Sequence, residues 1–194
     1  MYSAVGAWAS GGNMNTGRKA PGGGAGTLTA GLIFGGGDPD IADAETYDGS
    51  SWTEVNNLNT ARREVGGFGT QTAAIAIAGA VGAPSVTLQD VCESWNGTSW
   101  TEVNDLNTPR STLAGVGTLT NALYFGGSDN SAVTEEWNGT SFTETGDLNT
   151  GRQQIGGSGI YTSAVAFGGD TGSITGATEE FSAAALSTIS FDAS

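Results

Sequence analysis

The chain of 194 residues has the size of a single domain and contains no histidine, so it lacks the commonest general base and the commonest transition-metal ligand. Six Lys and Arg against twenty Asp and Glu give a formal charge of −14, which argues against nucleic acid or anionic membrane surfaces as partners, since both call for a basic patch. The single cysteine, Cys92, allows no internal disulfide, no stretch nears the roughly 18 apolar residues needed to insert in a bilayer, and the first residues show no basic region followed by an apolar run, so no secretory signal peptide is expected.

In chain order, a lone outer strand is expected over residues 4–8, ending at Trp8 and followed by the phrase Asn15-Thr16-Gly17-Arg18. The first full repeat then runs through strand a (21–27), an apolar strand b (31–34) closed by Gly35-Gly36, strand c (43–47), the turn Asp48-Gly49, and strand d from Trp52 to Leu58-Asn59-Thr60-Ala61-Arg62. The second has strand a at 65–70, b at 74–77 closed by Ala78-Gly79, c at 91–95, the turn Asn96-Gly97, and d from Trp100 to Leu106-Asn107-Thr108-Pro109-Arg110. The third has a at 113–118, b at 121–125 closed by Gly126-Gly127, c at 133–137, Asn138-Gly139, and d from Phe142 to Leu148-Asn149-Thr150-Gly151-Arg152. The fourth supplies a at 155–160, b at 164–167 closed by Gly168-Gly169, and c at 177–181, with a further candidate outer strand at 186–191. Dipeptides such as Asn-Gly favour a two-residue hairpin with positive φ at both central positions. Small residues in strand a suit the crowded inner strand of a ring, and apolar runs in strand b suit burial on both faces.

In all four copies the aromatic residue stands ten positions before the arginine, and the arginines follow one another at 44, 48 and 42 residues. A glycine-rich β repeat of that period predicts an all-β fold: a small β-propeller of four four-stranded blades. The segments are 1–18 (a lone outer strand), 19–62, 63–110, 111–152 and 153–194, all within one domain spanning 1–194. Pairing of the N-terminal strand beside residues 177–181 would close the ring and remove an open edge. The 186–191 strand is then surplus, free to cap the ring or join subunits. A strand closed by double glycine, an aromatic in the next strand and a tryptophan a few residues later resembles kelch repeats over nearly the whole chain. The wording Glu93-Ser94-Trp95-Asn96-Gly97-Thr98-Ser99-Trp100 is similar to kelch-like repeat proteins encoded by marine bacteriophages.

Each repeat carries one arginine (Arg18, Arg62, Arg110, Arg152) and one glutamate two positions before the strand-c aromatic (Glu45, Glu93, Glu135, Glu179). One such pair per repeat reads as a structural ion pair; the rival is a ring of arginines gripping an anion or a carboxylated sugar. Trp8, Trp52, Trp100 and Phe142 hold a repeat position and are expected to pack between blades, with sugar stacking as the alternative. Cys92 is expected in the core beside Trp95.

The connections between strands b and c differ from repeat to repeat, which makes their face the place for variable contacts. Candidate binding residues there are Asp38, Asp40, Asp43, Asp90, Asp129, Asn130 and Asp170. Asp38, Asp40 and Asp43 offer oxygen ligands that suit calcium without matching an EF-hand, so no cofactor is expected beyond that possible ion. Asn96-Gly97-Thr98 and Asn138-Gly139-Thr140 fit a glycosylation acceptor, but a hairpin turn explains them.

No His-based triad, zinc set or phosphate loop is present, so the chain is expected not to be an enzyme. The expectation is a binding or assembly module, a bacteriophage virion component in the tail, a fibre or capsid decoration. It would contact a host glycan or a neighbouring virion protein, or associate with itself, in a virion or extracellular setting. A multivalent lectin of cellular origin is the alternative, and a propeller glycosidase or lyase the third class.

Overall fold

A computed structural model describes residues 8–19, 23–37 and 39–183. The expected outer strands at 4–8 (except Trp8) and 186–191, the start of the first strand a, and Asp38 lie outside the described residues.

The described residues form four antiparallel sheets joined in chain order. The first contains β1 (Gly24–Thr27), β2 (Ala30–Phe34), β3 (Ala44–Tyr47) and β4 (Trp52–Val55). The second contains β5 (Gly66–Thr70), β6 (Ala73–Val81), β7 (Thr87–Trp95) and β8 (Trp100–Val103). The third contains β9 (Ala114–Thr118), β10 (Asn121–Phe125), β11 (Thr134–Trp137) and β12 (Phe142–Glu144). The fourth has three described strands, β13 (Gly156–Ile160), β14 (Ser163–Phe167) and β15 (Thr178–Ser182). The fold is all-β and consistent with propeller blades. No helix among the described residues is long and apolar enough to cross a membrane.

Each sheet is a meander of neighbouring strands, and consecutive sheets pack against each other through buried side chains. The first strands lie side by side, β1 with β5, β5 with β9 and β9 with β13, whereas β13 makes no comparable contact with β1. Glycine permits the approach. A Cβ on Gly67 would lie 2.5 Å from the Ile75 carbonyl oxygen and 2.7 Å from the Phe34 ring of the preceding sheet. Gly157 stands in the same relation to Phe125, also at 2.7 Å. The apolar core is therefore divided into three layers, one between each consecutive pair of sheets. In the first layer Leu32 and Phe34 meet Ala74, Ala76, Trp95 and Trp100.

Two local expectations are corrected. The turns between the third and fourth strands are four-residue loops, since Tyr47 pairs with Trp52, Trp95 with Trp100 and Trp137 with Phe142. Only the glycine has positive φ, with Gly49 at 97° and Gly97 and Gly139 at 91°. The side chain of Asp48, Asn96 or Asn138 accepts two backbone N–H bonds from the residues ahead, which holds the loop without a left-handed residue at that position. The second correction is that β6 and β7 run on past the repeat pattern. After an irregularity between Ile77 and Gly79, the pairs Gly79–Gln89, Ala80–Leu88 and Val81–Thr87 extend the ladder. Asp90 consequently sits in a strand and not in a connecting loop.

Candidate functional site

The repeated phrase is the joint between sheets. Its first half holds the sheet that it leaves. Asn57, Asp105 and Asp147 accept the N–H of Ala44, Cys92 and Thr134, at 3.3, 3.1 and 2.9 Å, inside their own sheets. The next residue, Leu58, Leu106 or Leu148, donates its N–H to Ala42, Asp90 or Ala132 at 3.0 Å in each case. The second half holds the sheet that it approaches. Asn15, Asn59, Asn107 and Asn149 each donate a backbone N–H, at 2.6–2.8 Å, to the glutamate of that sheet, Glu45, Glu93, Glu135 or Glu179.

Arginine completes the joint. Arg18 pairs with Glu45 at 2.6 Å, Arg62 with Glu93 at 2.5 Å, Arg110 with Glu135 at 3.1 Å, and Arg152 with Glu179. Arg62, Arg110 and Arg152 face the following sheet with their side chains while their backbones stay bonded to the preceding one. Their carbonyls accept from Gly36, Gly79 and Gly127, and their N–H groups donate to Ile41, Gln89 and Ser131. The guanidinium of Arg18 also donates to the carbonyls of Gly35 and Asp43, and that of Arg152 to Ala177. These arginines are buried ion-pair partners and do not face an open anion site. The glycine pairs belong to the same joint: a Cβ on Gly126, at φ 70°, would lie 2.8 Å from the Arg152 carbonyl oxygen.

Burial raises the Glu45 carboxyl, but the N–H groups of Asn15 and Thr16 and the Arg18 guanidinium outweigh it, so the net shift is downward. Glu179 is lowered in the same way, burial opposed by Asn149, Arg152 and Thr150. Both remain charged at neutral pH.

The strand-four aromatics divide. Trp100 and Phe142 are buried, and the Trp100 ring meets Phe34 of the preceding sheet edge-on at 4.9 Å. Trp52 is half-buried beside Tyr47. Trp8 differs: it is fully exposed and lies in no described strand, and among the described residues no ring contact to it matches those of Tyr47, Trp95 and Trp137 with the other strand-four aromatics. Cys92 is buried, and desolvation pushes its thiol up to about 12, which keeps it protonated. Tyr124 is buried beside Phe68 and Phe142, its hydroxyl has no hydrogen-bond partner among the described residues, and burial raises its pKa well above the ordinary value.

The loop carboxylates do not converge. Asp40 pairs with Arg63 at 2.5 Å and accepts the Gly82 N–H at 2.6 Å, tying the first sheet's loop to the second. Asp43 accepts from the Asn57 side chain at 3.0 Å. Asp170 caps its own turn through the Gly172 N–H at 2.7 Å. Asp129 and Asn130 are exposed on a short 3-10 turn (Ser128–Asn130), both with positive φ. Among the described residues no group of three acidic or thiol side chains is placed to hold a metal ion.

Sequence reasoning missed the Asp40–Arg63 tie and the cap supplied by Asn57, Asp105 and Asp147. The signal for the cap was present in the invariant Asn/Asp before each Leu-Asn-Thr; the tie involves residues that do not repeat. Compared with known proteins, the chain matches no family model and no curated protein.

Proposed function

We infer that the chain is a non-catalytic binding or assembly module whose four sheets are kelch-like blades of a β-propeller, and that it serves as a structural component of a bacteriophage virion. The virion part of this reading rests on the resemblance of the repeat wording to phage-encoded kelch-like proteins, and one structural observation supports the binding-module part. The residues repeated in every copy are occupied in the joints between sheets, so the surface left to vary is the set of unequal loops between the second and third strands. Asp129 and Asn130 are exposed on that surface. Burial takes the rings of Trp100 and Phe142 out of reach of sugar stacking, and on this reading a glycan or protein ligand is met by the loops.

The test is a proteomic inventory of purified particles from the system that encodes the chain. Its presence in stoichiometric amount is expected; its absence from intact particles sinks the virion reading. Alanine at Asp129 and Asn130 is expected to weaken attachment to the particle or its receptor; both residues have positive φ, which alanine adopts less readily, so a stability cost of about 1 kcal/mol per position is expected alongside and is read separately by urea unfolding.

A further inference from the structure

The two ends of the row of sheets carry the two halves of an interface that the interior makes whole. Inside, Phe34 covers Gly67 and meets Trp100, and Phe125 covers Gly157. By register, Phe167 of the fourth sheet is the next residue of that series, since it pairs with Gly156 as Phe125 pairs with Ala114. Its counterparts Phe34 and Phe125 are 0% and 2% exposed, whereas Phe167 is 44% exposed. Its missing partner has a counterpart at the other end. Gly24 holds the register position of Gly67, opposite Ile33 as Gly67 is opposite Ala76. Among the described residues, a Cβ there would meet nothing nearer than the Leu32 carbonyl oxygen of its own sheet, at 3.7 Å. Around Gly24, the side chains of Ile33, Tyr47 and Trp52 are half-buried, while Ala76, Trp95 and Trp100 at the same positions of the second sheet are buried.

A second pair of features matches in the same sense. Trp8 stands ten residues before Arg18, in the place of a strand-four aromatic, and is fully exposed. Between the third and fourth sheets is a cleft bounded by Phe125 and Phe181. These are the counterparts of Phe34 and Trp95, which flank Trp100 in the interior. The cleft opens beside β15, the outermost described strand of its sheet.

We propose that the fourth sheet of one copy receives the first sheet of a second copy, Phe167 seating over Gly24 and Trp52 while Trp8 enters the cleft beside Phe181. This rests on the blade reading given above and names the assembly partner as the chain itself. The contact is head-to-tail, and such contacts close into rings or continue as filaments according to the rotation per subunit. Glu180 on the receiving face is no obstacle, because Glu136 holds the same position in the third sheet and stays half-buried within an interior interface.

Light scattering on the full chain at physiological salt tests it with two variants, Phe167→Asp at one end and Gly24→Glu at the other. Both positions are exposed, so thermal unfolding of each isolated variant is expected to stay cooperative, which the same samples verify by circular dichroism. The parent is expected at two or more chains per particle and each variant at one. An equimolar mixture is expected to return to two, because each variant keeps one intact end and the ends are different surfaces. A monomeric parent, a variant mass equal to the parent's, or a mixture that stays monomeric overturns the proposal. A monomeric parent that is present in particles would remove this inference and leave the proposed function standing; an oligomer absent from particles would do the reverse.

Discussion

At the scale of single residues, the buried Arg–Glu pairs govern how the chain responds to mutation and pH. Arg62 and Glu93 are both 0% exposed, so Glu93→Gln leaves a guanidinium in the interior without its counter-charge. The expected cost is about 3–5 kcal/mol by urea unfolding, the range for breaking one side of a buried pair. Glu179 is 15% exposed in its side chain, and Glu179→Gln is expected to cost less because water reaches the pair. The sign of the pH response follows from the lowered carboxyls of Glu45 and Glu179. A group whose folded pKa lies below its unfolded value stabilises the fold above the unfolded value and ceases to do so as pH falls through the folded one. Stability is therefore expected to fall on acidification below about pH 4.5. Glu45→Gln should flatten that acid limb in melts taken across pH; an unchanged slope would remove Glu45 from the account.

At the scale of elements, glycine in the first strand of each sheet sets how closely sheets approach, and the effect depends on the neighbour and not on the strand alone. Gly67→Ala drives a methyl against the Ile75 carbonyl and the Phe34 ring and is expected to cost about 1–3 kcal/mol, as overpacking does. Gly24→Ala, at the same register position but without a sheet over it, is expected to change the unfolding free energy of an isolated copy by only about 0.5 kcal/mol or less. Equal effects at the two positions would mean that strand geometry, and not packing between sheets, is the reason for glycine.

At the scale of the whole molecule, apolar layers between sheets work against a formal charge of −14. Like charge opposes both compaction and the meeting of two copies, and added salt screens it within a Debye length of about 10 Å at 0.1 M. Raising ionic strength is accordingly expected to raise both the melting midpoint and the mass in solution. A midpoint that falls with salt would show that the paired charges outweigh the net repulsion. The exposed ends concentrate the consequence: Phe167 and Trp8 are large apolar groups in water, while the same residue types at interior repeats are buried.

Among the described residues, the sequence by itself determined the strand order within each sheet and the partnership of one arginine with one glutamate per copy, because duplication prints the same local physics four times. Strand alternation, glycine pairs and the Leu-Asn-Thr phrase are local signals, legible wherever the period repeats. Tertiary structure decided what the repeat cannot encode. It placed Asp40 against Arg63 and Gly82, drew Asp90 into a lengthened strand, and separated Trp8 from Trp100 although both hold one repeat position. The physical reason is that a repeat specifies a residue's own sheet, whereas burial, pairing and exposure depend on whether another sheet stands in front of it.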